Sequence, residues 1–258
     1  MTGPGKRPPK LVGAGKPVVL AALLILGSSA TDVRQPRSTS DAGPAVAAFD
    51  LAVTIDDVPW SGDWPPGDGI ESETRRMIDV LARHSAPVAV FINCRRDETS
   101  RRLIRAWLAA GATLGNHGTG HPDLHRTPVP AWARAVRDCD RNLRQELGAP
   151  VPFFRYPALH EGRTPAERTA ARRVLRELGY RNATVTIDNS DFLLARPYLT
   201  AVRTGRAAAG AAISRLMIEH DSLATQHFRQ VARQLAGEEI PQVLLLHANQ
   251  LTADNLDA

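Results

Sequence analysis

From about residue 49 onward, short apolar runs alternate with amphipathic stretches, and this alternation allows only a few folds. The longest amphipathic stretch, 130–147, has its apolar residues at helical spacing. Strands that alternate with helices favour parallel pairing, because a helix is the usual connection between parallel strands. We therefore predict an α/β fold, a parallel sheet or barrel with helices outside. Six runs are the candidate strands: 50–55, 87–92, 112–115, 151–154, 183–187 and 242–247.

The overall charge of the chain is not evidence for nucleic-acid binding. The 258 residues carry a formal net charge of +5, but residues 1–30 hold four basic side chains and no acidic one. Outside that segment, 28 basic side chains stand against 27 acidic ones, and no basic stripe is visible. We therefore expect no nucleic-acid partner.

The first thirty residues have the pattern of an export signal. Basic residues between positions 6 and 16 precede the apolar run 17–26, and small residues follow at 28–30. We predict a signal peptide or N-terminal anchor over 1–30, a Ser-, Thr- and Pro-rich linker over 31–47, and a catalytic domain over 48–258. The protein would then be periplasmic, attached to the cell envelope or secreted, with no stable membrane span after cleavage.

The chain has two cysteines, Cys94 and Cys139. In an exported protein they could form a disulfide. Two buried free thiols are an equally good interpretation of the sequence, so the pairing stays open at this point.

Chemically reactive side chains follow the ends of the predicted strands. Because the carboxyl ends of parallel strands meet at one rim of a barrel, where active sites are built, these side chains are expected to share one site. In chain order they are Asp56, Asp57, His117, Arg155, Asp188, Asp191 and His247.

The aspartate pair and the segment His117-Gly-Thr-Gly-His121 predict a catalytic metal site. One aspartate and two histidines can hold a divalent ion and leave coordination positions open. The segment lacks the glutamate of the His-Glu-x-x-His zinc proteases, so the base must come from elsewhere, and Asp56 is the candidate. His125 lies nearby, and we expect it to be a surface or supporting residue.

Five segments in this order resemble the motifs of the polysaccharide deacetylases, the NodB-homology enzymes of carbohydrate esterase family four. They are Thr54-Ile-Asp-Asp57, His117-Gly-Thr-Gly-His121, Arg155-Tyr-Pro157, Asp188-Asn-Ser-Asp191-Phe192 and Leu245-Leu-His247. The resemblance implies a distorted (β/α)-barrel of about seven strands. The family continues beyond the fifth motif with a helix and a strand, so we expect this barrel to lack its last helix–strand unit.

The resemblance also implies an activity, the hydrolysis of acetyl groups on chitin-like sugars, peptidoglycan or xylan. It assigns Asp57, His117 and His121 to a divalent metal, usually zinc. Asp56 would be the general base, and Arg155 would pair with it.

At the other side of the site, the resemblance makes His247 the general acid and places Asp191 behind it. Leu245 would line the pocket for the acetyl methyl group. On the rim, Trp60 could stack on sugar rings or plug the core. Tyr156 and His160 are further candidates for substrate contact, with a polar loop as the alternative for His160.

One departure from the family pattern concerns the metal-binding loop. Gly118 stands where the family usually has Ser or Thr, which removes a hydrogen bond that steadies the loop. Thr119 could supply that bond instead.

Two other functions remain open from the sequence. A metal-dependent amidase acting on a non-sugar C–N bond would use the same metal, base and acid. A non-catalytic homologue is the second alternative.

Overall fold

The computed structural model describes residues 49–62 and 69–258. The predicted signal peptide or anchor and the linker therefore lie outside the described residues. The strands are β1 Leu51–Val58, β2 Val88–Ile92, β3 Thr113–Asn116, β4 Phe153–Phe154, β5 Arg181–Asn182, β6 Ile187–Asp188 and β7 Gln242–His247. The α-helices are α1 Gly69–Arg83, α2 Glu98–Ala109, α3 Val129–Leu147, α4 Pro165–Leu178, α5 Asp191–Arg203, α6 Ala207–Ala236 and α7 Gln250–Asn255.

All seven strands belong to one parallel sheet, with the order β5-β4-β3-β2-β1-β7-β6. Helices connect the strands through most of the chain, as the alternation predicts. The expected α/β class is confirmed. The long stretch between β6 and β7 forms two helices, α5 and α6.

The prediction of one continuous strand over 183–187 is wrong. Two short strands take its place, and they lie on opposite edges of the sheet: β5 pairs with β4, and β6 pairs with β7. Five peptide steps from Asn182 to Ile187 reach at most about 18 Å. The edge strands of a flat seven-stranded sheet would lie about 29 Å apart. The sheet must therefore curl into a distorted, incompletely closed barrel.

Alternation along β1 separates the apolar core from the inside of this barrel. Ile55 belongs to the hydrophobic core, whereas Thr54 and Asp56 are buried polar side chains on the other face. On β7, Leu246 likewise joins the core. The helices close over the apolar face; α3 contributes Trp132, Val136, Cys139 and Leu143.

A disulfide joins Cys94, just after β2, to Cys139 in α3. The Cα atoms of the two residues lie 5.3 Å apart, a usual span for a disulfide. Of the two interpretations left open by the sequence, the structure has the disulfide.

Within the described ranges, no helix combines the length and apolarity needed to cross a membrane. The 30-residue α6 is long enough to span a bilayer. Its length is therefore not matched by the required apolar character.

Candidate metal centre and active site

The two adjacent aspartates at the end of β1 both reach the same site. Successive side chains of a regular strand point to opposite faces, but the β1–β2 register shifts between Ile55 and Val58, and Asp57 has φ +63°. The Nε2 atom of His117 consequently lies 3.8 Å from Asp56 Oδ2 and 3.6 Å from Asp57 Oδ1. This backbone irregularity gives one site two carboxylates.

Asp57, His117 and His121 are arranged as metal ligands would be. Asp57 Oδ1 lies 3.6 Å from His117 Nε2 and 3.4 Å from His121 Nε2. Ligand atoms around a tetrahedral zinc are about 3.4 Å apart. Asp57 Oδ1 is also buried and has no hydrogen-bond partner among the described residues. Because such an oxygen is costly to leave unsatisfied, these residues fit a divalent ion.

A backbone hydrogen bond orients His117 for this purpose. Its Nδ1–H donates to the carbonyl oxygen of Arg155 at 2.9 Å, which leaves the lone pair of Nε2 facing the carboxylates. Burial lowers the pKa of His117 despite the two aspartates beside it. The ring is therefore held in its neutral form, the form that binds metals.

The loop between the two histidines depends on a residue that lies outside the five motifs. Asn116 is fully buried, and its Oδ1 accepts a hydrogen bond from the backbone N–H of Gly118 at 2.7 Å. The prediction that Thr119 steadies this loop is wrong: its hydroxyl is buried without a partner in the described part of the chain. The sequence signal for Asn116 was a polar residue directly after the apolar run 112–115.

Gly118 itself is required by the geometry of this loop. Its φ is +78°, and a Cβ atom there would lie 2.7 Å from the Cδ atom of Pro122. A Ser or Thr would therefore need both a left-handed backbone and a displaced proline ring.

Arg155 and Asp56 form a fully buried ion pair. Arg155 Nη1 donates to Asp56 Oδ1 at 2.9 Å and to the hydroxyl of Thr54 at 2.7 Å. The side chains of Arg155 and Asp56 are 0% and 3% exposed. The guanidinium also lies over the ring of Phe91. These contacts fix the position of Asp56 beside the metal ligands, as the resemblance implied.

His247 and Asp191 form the opposite side of the site. His247 Nδ1 donates to Asp191 Oδ1 at 2.6 Å. Burial alone would lower the pKa of His247, but the hydrogen bond to Asp191 and the surrounding carboxylate charges raise it to about 9. His247 is the register partner of Asp56 on the neighbouring strand, so both side chains project from the same face of the sheet.

Leu245 lies two residues before His247 on β7 and is 3% exposed. By strand alternation it shares the face of His247. It therefore faces away from the core that contains Leu246. Trp60 is half-buried, and the Arg95 guanidinium lies 4.4 Å from its ring centroid. One face of the indole is therefore already covered.

One of the rim candidates requires correction. Tyr156 is 2% exposed, and its ring stacks on Trp132 in the core, so contact with a substrate on the rim is not its role. Arg155 reaches into the site, whereas the side chain of its neighbour Tyr156 points the opposite way, into the apolar core. His160 lies on the rim, but it is engaged with Asp123 and His125 rather than with the predicted site.

Comparison with known proteins gives one family. A family model described as polysaccharide deacetylase matches residues 45–183. A curated relative, the chitooligosaccharide deacetylase of Sinorhizobium fredii, is 32% identical over 71 residues, which are 28% of this chain and 33% of the relative. The chain thus matches about a third of that relative's length.

Solved structures share the fold. The family-four carbohydrate esterase pseudoenzyme of Bacillus anthracis superposes with a TM-score of 0.55 at 14% identity, over 81% of this chain and 58% of that one. The chitin deacetylase of Colletotrichum lindemuthianum gives a TM-score of 0.52 at 20% identity, over 80% and 79%. These likenesses confirm the distorted-barrel fold class.

Proposed function

Because this chain belongs to the polysaccharide deacetylase family, we propose that it is a metal-dependent hydrolase that removes acetyl groups from a carbohydrate. The observation that carries this proposal is the register pairing of Asp56 with His247 across β1 and β7. It sets a candidate base and a candidate acid side by side. Asp57, His117 and His121 lie next to them with ligand spacing.

Asp57, His117 and His121 would hold the ion. An aspartate and two imidazoles suit zinc, and other divalent transition ions also accept this set. When bound, the ion would polarise the acetyl carbonyl and lower the pKa of water at the site. The exposed His121, 40% accessible at its side chain, leaves the centre open to solvent and substrate.

Asp56 is proposed to take the proton of the attacking water. Its ion pair with Arg155 holds the carboxylate in place in a buried site, and the second oxygen, Oδ2, lies 3.8 Å from His117 Nε2. Arg155 also donates a hydrogen bond to the hydroxyl of Thr54, and this hydroxyl donates to the carbonyl oxygen of Leu244. These two bonds tie the arrangement to β7. A base that is fixed in this way needs little reorganisation during the reaction.

His247 is proposed to give its proton to the departing amine nitrogen or alcohol oxygen. A pKa of about 9 keeps the imidazole protonated at neutral pH, and Asp191 holds the charged ring in place. Leu245, on the same face, would contact the acetyl methyl group.

The proposed substrates are acetylated carbohydrates of the chitin, peptidoglycan or xylan type. Support comes from the curated relative, whose name is chitooligosaccharide deacetylase. We also propose that the protein is exported. The basic and apolar start of the sequence supports this, and so does the disulfide between Cys94 and Cys139, because disulfides persist in oxidising compartments.

The test is acetate release from chitooligosaccharide, peptidoglycan, acetylxylan and an aryl acetate, with and without added zinc. Asp56→Asn and His247→Ala should abolish zinc-dependent release. The control His220→Ala, an exposed histidine of α6, should leave release unchanged. Absence of release from folded, zinc-loaded protein would contradict the proposal and favour an amidase or a non-catalytic homologue.

A further inference from the structure

We propose that the disulfide between Cys94 and Cys139 positions the three candidate metal ligands and thereby raises the metal affinity of their site. The two cysteines are 2% and 0% exposed, and they act through the backbone beside Cys94. This role rests on the proposed function, because the ion belongs to that function. The positions of the loops, however, can be measured without an ion.

The two residues that precede the disulfide hold the backbone of both histidine ligands. The carbonyl oxygen of Ile92 accepts a hydrogen bond from the backbone N–H of His117 at 2.9 Å. The carbonyl oxygen of Asn93 accepts one from the N–H of Gly120 at 3.2 Å. Gly120 directly precedes His121, so a single peptide unit contacts the backbone at both ends of the ligand loop.

The same short segment also holds the aspartate ligand. The backbone N–H of Asn93 donates to the carbonyl oxygen of Val58 at 3.0 Å. Val58 directly follows Asp57 in β1. Because residues 92 and 93 bond at or beside all three ligands, the position of this segment controls the distances between the ligands.

This segment ends in a residue whose backbone needs support. Cys94 has φ +49° and His121 has φ +55°. Both angles are left-handed, a conformation that costs free energy for residues other than glycine. Without a cross-link, Cys94 would be free to relax to a negative φ. That relaxation would reorient the peptide group between Asn93 and Cys94, and the hydrogen bond to Gly120 depends on this group.

The disulfide fixes the segment to the helix that also supports the ligand loop. Cys139 lies in α3, and Ala135 lies about one helical turn before it. The carbonyl oxygen of Ala135 accepts a hydrogen bond from the N–H of Thr119 at 3.2 Å. The carbonyl oxygen of the neighbouring Val136 accepts one from Asn116 Nδ2 at 3.0 Å. The segment after β2 and the ligand loop therefore share α3 as a support, and the disulfide makes the first attachment covalent.

Disulfide formation is therefore coupled to metal binding. Ligands that are already positioned lose little freedom when an ion binds, and the cross-link removes that freedom beforehand. Residues that orient metal ligands commonly change metal affinity by about 10- to 100-fold. Because disulfides persist in oxidising compartments, the chain reaches its full metal affinity only where this bond can form.

The first experiment compares the zinc affinity of the wild type with that of Cys94→Ala/Cys139→Ala. The variant has neither the bond nor thiols that could bind zinc themselves. Competition with a chromophoric chelator measures the affinity of the full chain, and the variant should bind about tenfold more weakly. The control is Leu81→Ala, which truncates a core leucine near the end of α1 that leads to the start of β2. It should lose stability but keep the zinc affinity of the wild type.

Amide hydrogen exchange of the zinc-free proteins measures the loop positions directly. The N–H of Gly120 should exchange faster in the cysteine variant, relative to the N–H of Ile55 in β1. In Leu81→Ala this ratio should match the wild type. Unchanged zinc affinity or an unchanged ratio in the cysteine variant would overturn the proposal. Equal weakening in Leu81→Ala would also overturn it, because affinity would then follow stability alone.

If the alanine variant does not fold, Cys94→Gly/Cys139→Ala takes its place. Glycine accepts φ +49° without strain, and this variant also lacks the cross-link, so it should show the same loss of affinity. A wild type that binds no zinc would contradict the proposed function. The exchange ratio would still decide whether the disulfide positions the ligand loop.

Discussion

The carboxylate of Asp191 is buried behind His247 and accepts four hydrogen bonds. Its Oδ1 receives Nδ1–H of His247 at 2.6 Å, and its Oδ2 receives the backbone N–H of the same residue. The side chains of Asn249 and Thr252 donate to Oδ2 as well, each at 2.8 Å. Burial would raise the pKa of Asp191, but these donors hold it below its ordinary value. A buried, charged aspartate therefore maintains a charged imidazole.

Replacing Asp191 with Asn should lower the pKa of His247 from about 9 toward the ordinary value of about 6.5. If His247 must be protonated to act, the alkaline limb of activity should move down by about two pH units. NMR titration of the ring measures the same shift without turnover. Thr252→Val is the control, because it removes one donor but no charge and should leave the alkaline limb near its original pH.

The same substitution should change how stability depends on pH. The folded-state pKa of His247 is raised, so its contribution to stability is complete below about pH 6.5 and is lost as the pH rises through about 9. The full contribution is on the order of 3 kcal/mol. In Asp191→Asn this loss between pH 6.5 and 9 should disappear. Urea unfolding across that range in both proteins measures it, and equal slopes would contradict the coupling.

Arg155→Met should destabilise the protein by about 3–5 kcal/mol, because it leaves the Asp56 carboxylate buried without its partner. The matched control is Arg137→Met, which breaks an ion pair with Glu177 whose side chains are 40% and 52% exposed. That change should cost less than about 1 kcal/mol. Urea unfolding compares the two. Adding Asp56→Asn to Arg155→Met should recover part of the loss, and similar losses in the two single variants would contradict a buried pair.

Much of this architecture could be predicted from the periodicity of the sequence. Apolar runs of four or more residues became strands near their predicted positions, because burial against helices requires continuous apolar stretches. The run 183–187 was different. Its residues alternate like one strand, but hydrogen bonding to β4 and to β7 divides it between the two sheet edges. Only the curl of the whole sheet determines that division, and a local pattern contains no information about it.

In the site, too, a local sequence pattern predicts only part of the arrangement. The positions of Asp56, Asp57, His117 and His247 at strand ends could be predicted, since parallel strands bring their carboxyl ends together. The direction of Tyr156 into the core and the support that Asn116 gives to Gly118 depend on packing between distant elements. The stack of His125 on His160 joins two loops far apart in sequence. No spacing rule connects those two residues.

The disulfide between Cys94 and Cys139 should contribute about 4 kcal/mol, because it closes a loop with a sequence separation of 45 residues in the unfolded chain. Reductant should lower Tm by roughly 8–15 °C. Cys94→Ala/Cys139→Ala should show the lower Tm from the start and no response to reductant. Detection of two free thiols in the denatured, unreduced wild type would contradict the bond.

Gly118→Ser restores a residue type that the family commonly uses, yet it should weaken this protein. The new Cβ would adopt φ +78° and lie 2.7 Å from the ring of Pro122, which directly follows the metal-ligand candidate His121. Gly120→Ser is the matched control: its φ is +74°, but no atom lies within 4 Å of a new Cβ. The control should lose only about 1–2 kcal/mol for the left-handed backbone.

Gly118→Ser should lose a further 1–3 kcal/mol or so from crowding, since Pro122 must move. Displacement of that ring should shift His121 and reduce the zinc affinity of the site formed by Asp57, His117 and His121 by about tenfold. Urea unfolding and zinc titration of the two variants separate backbone strain from the steric contact. Equal losses in both variants would show that Pro122 yields freely, and that Gly118 is present for its backbone conformation alone.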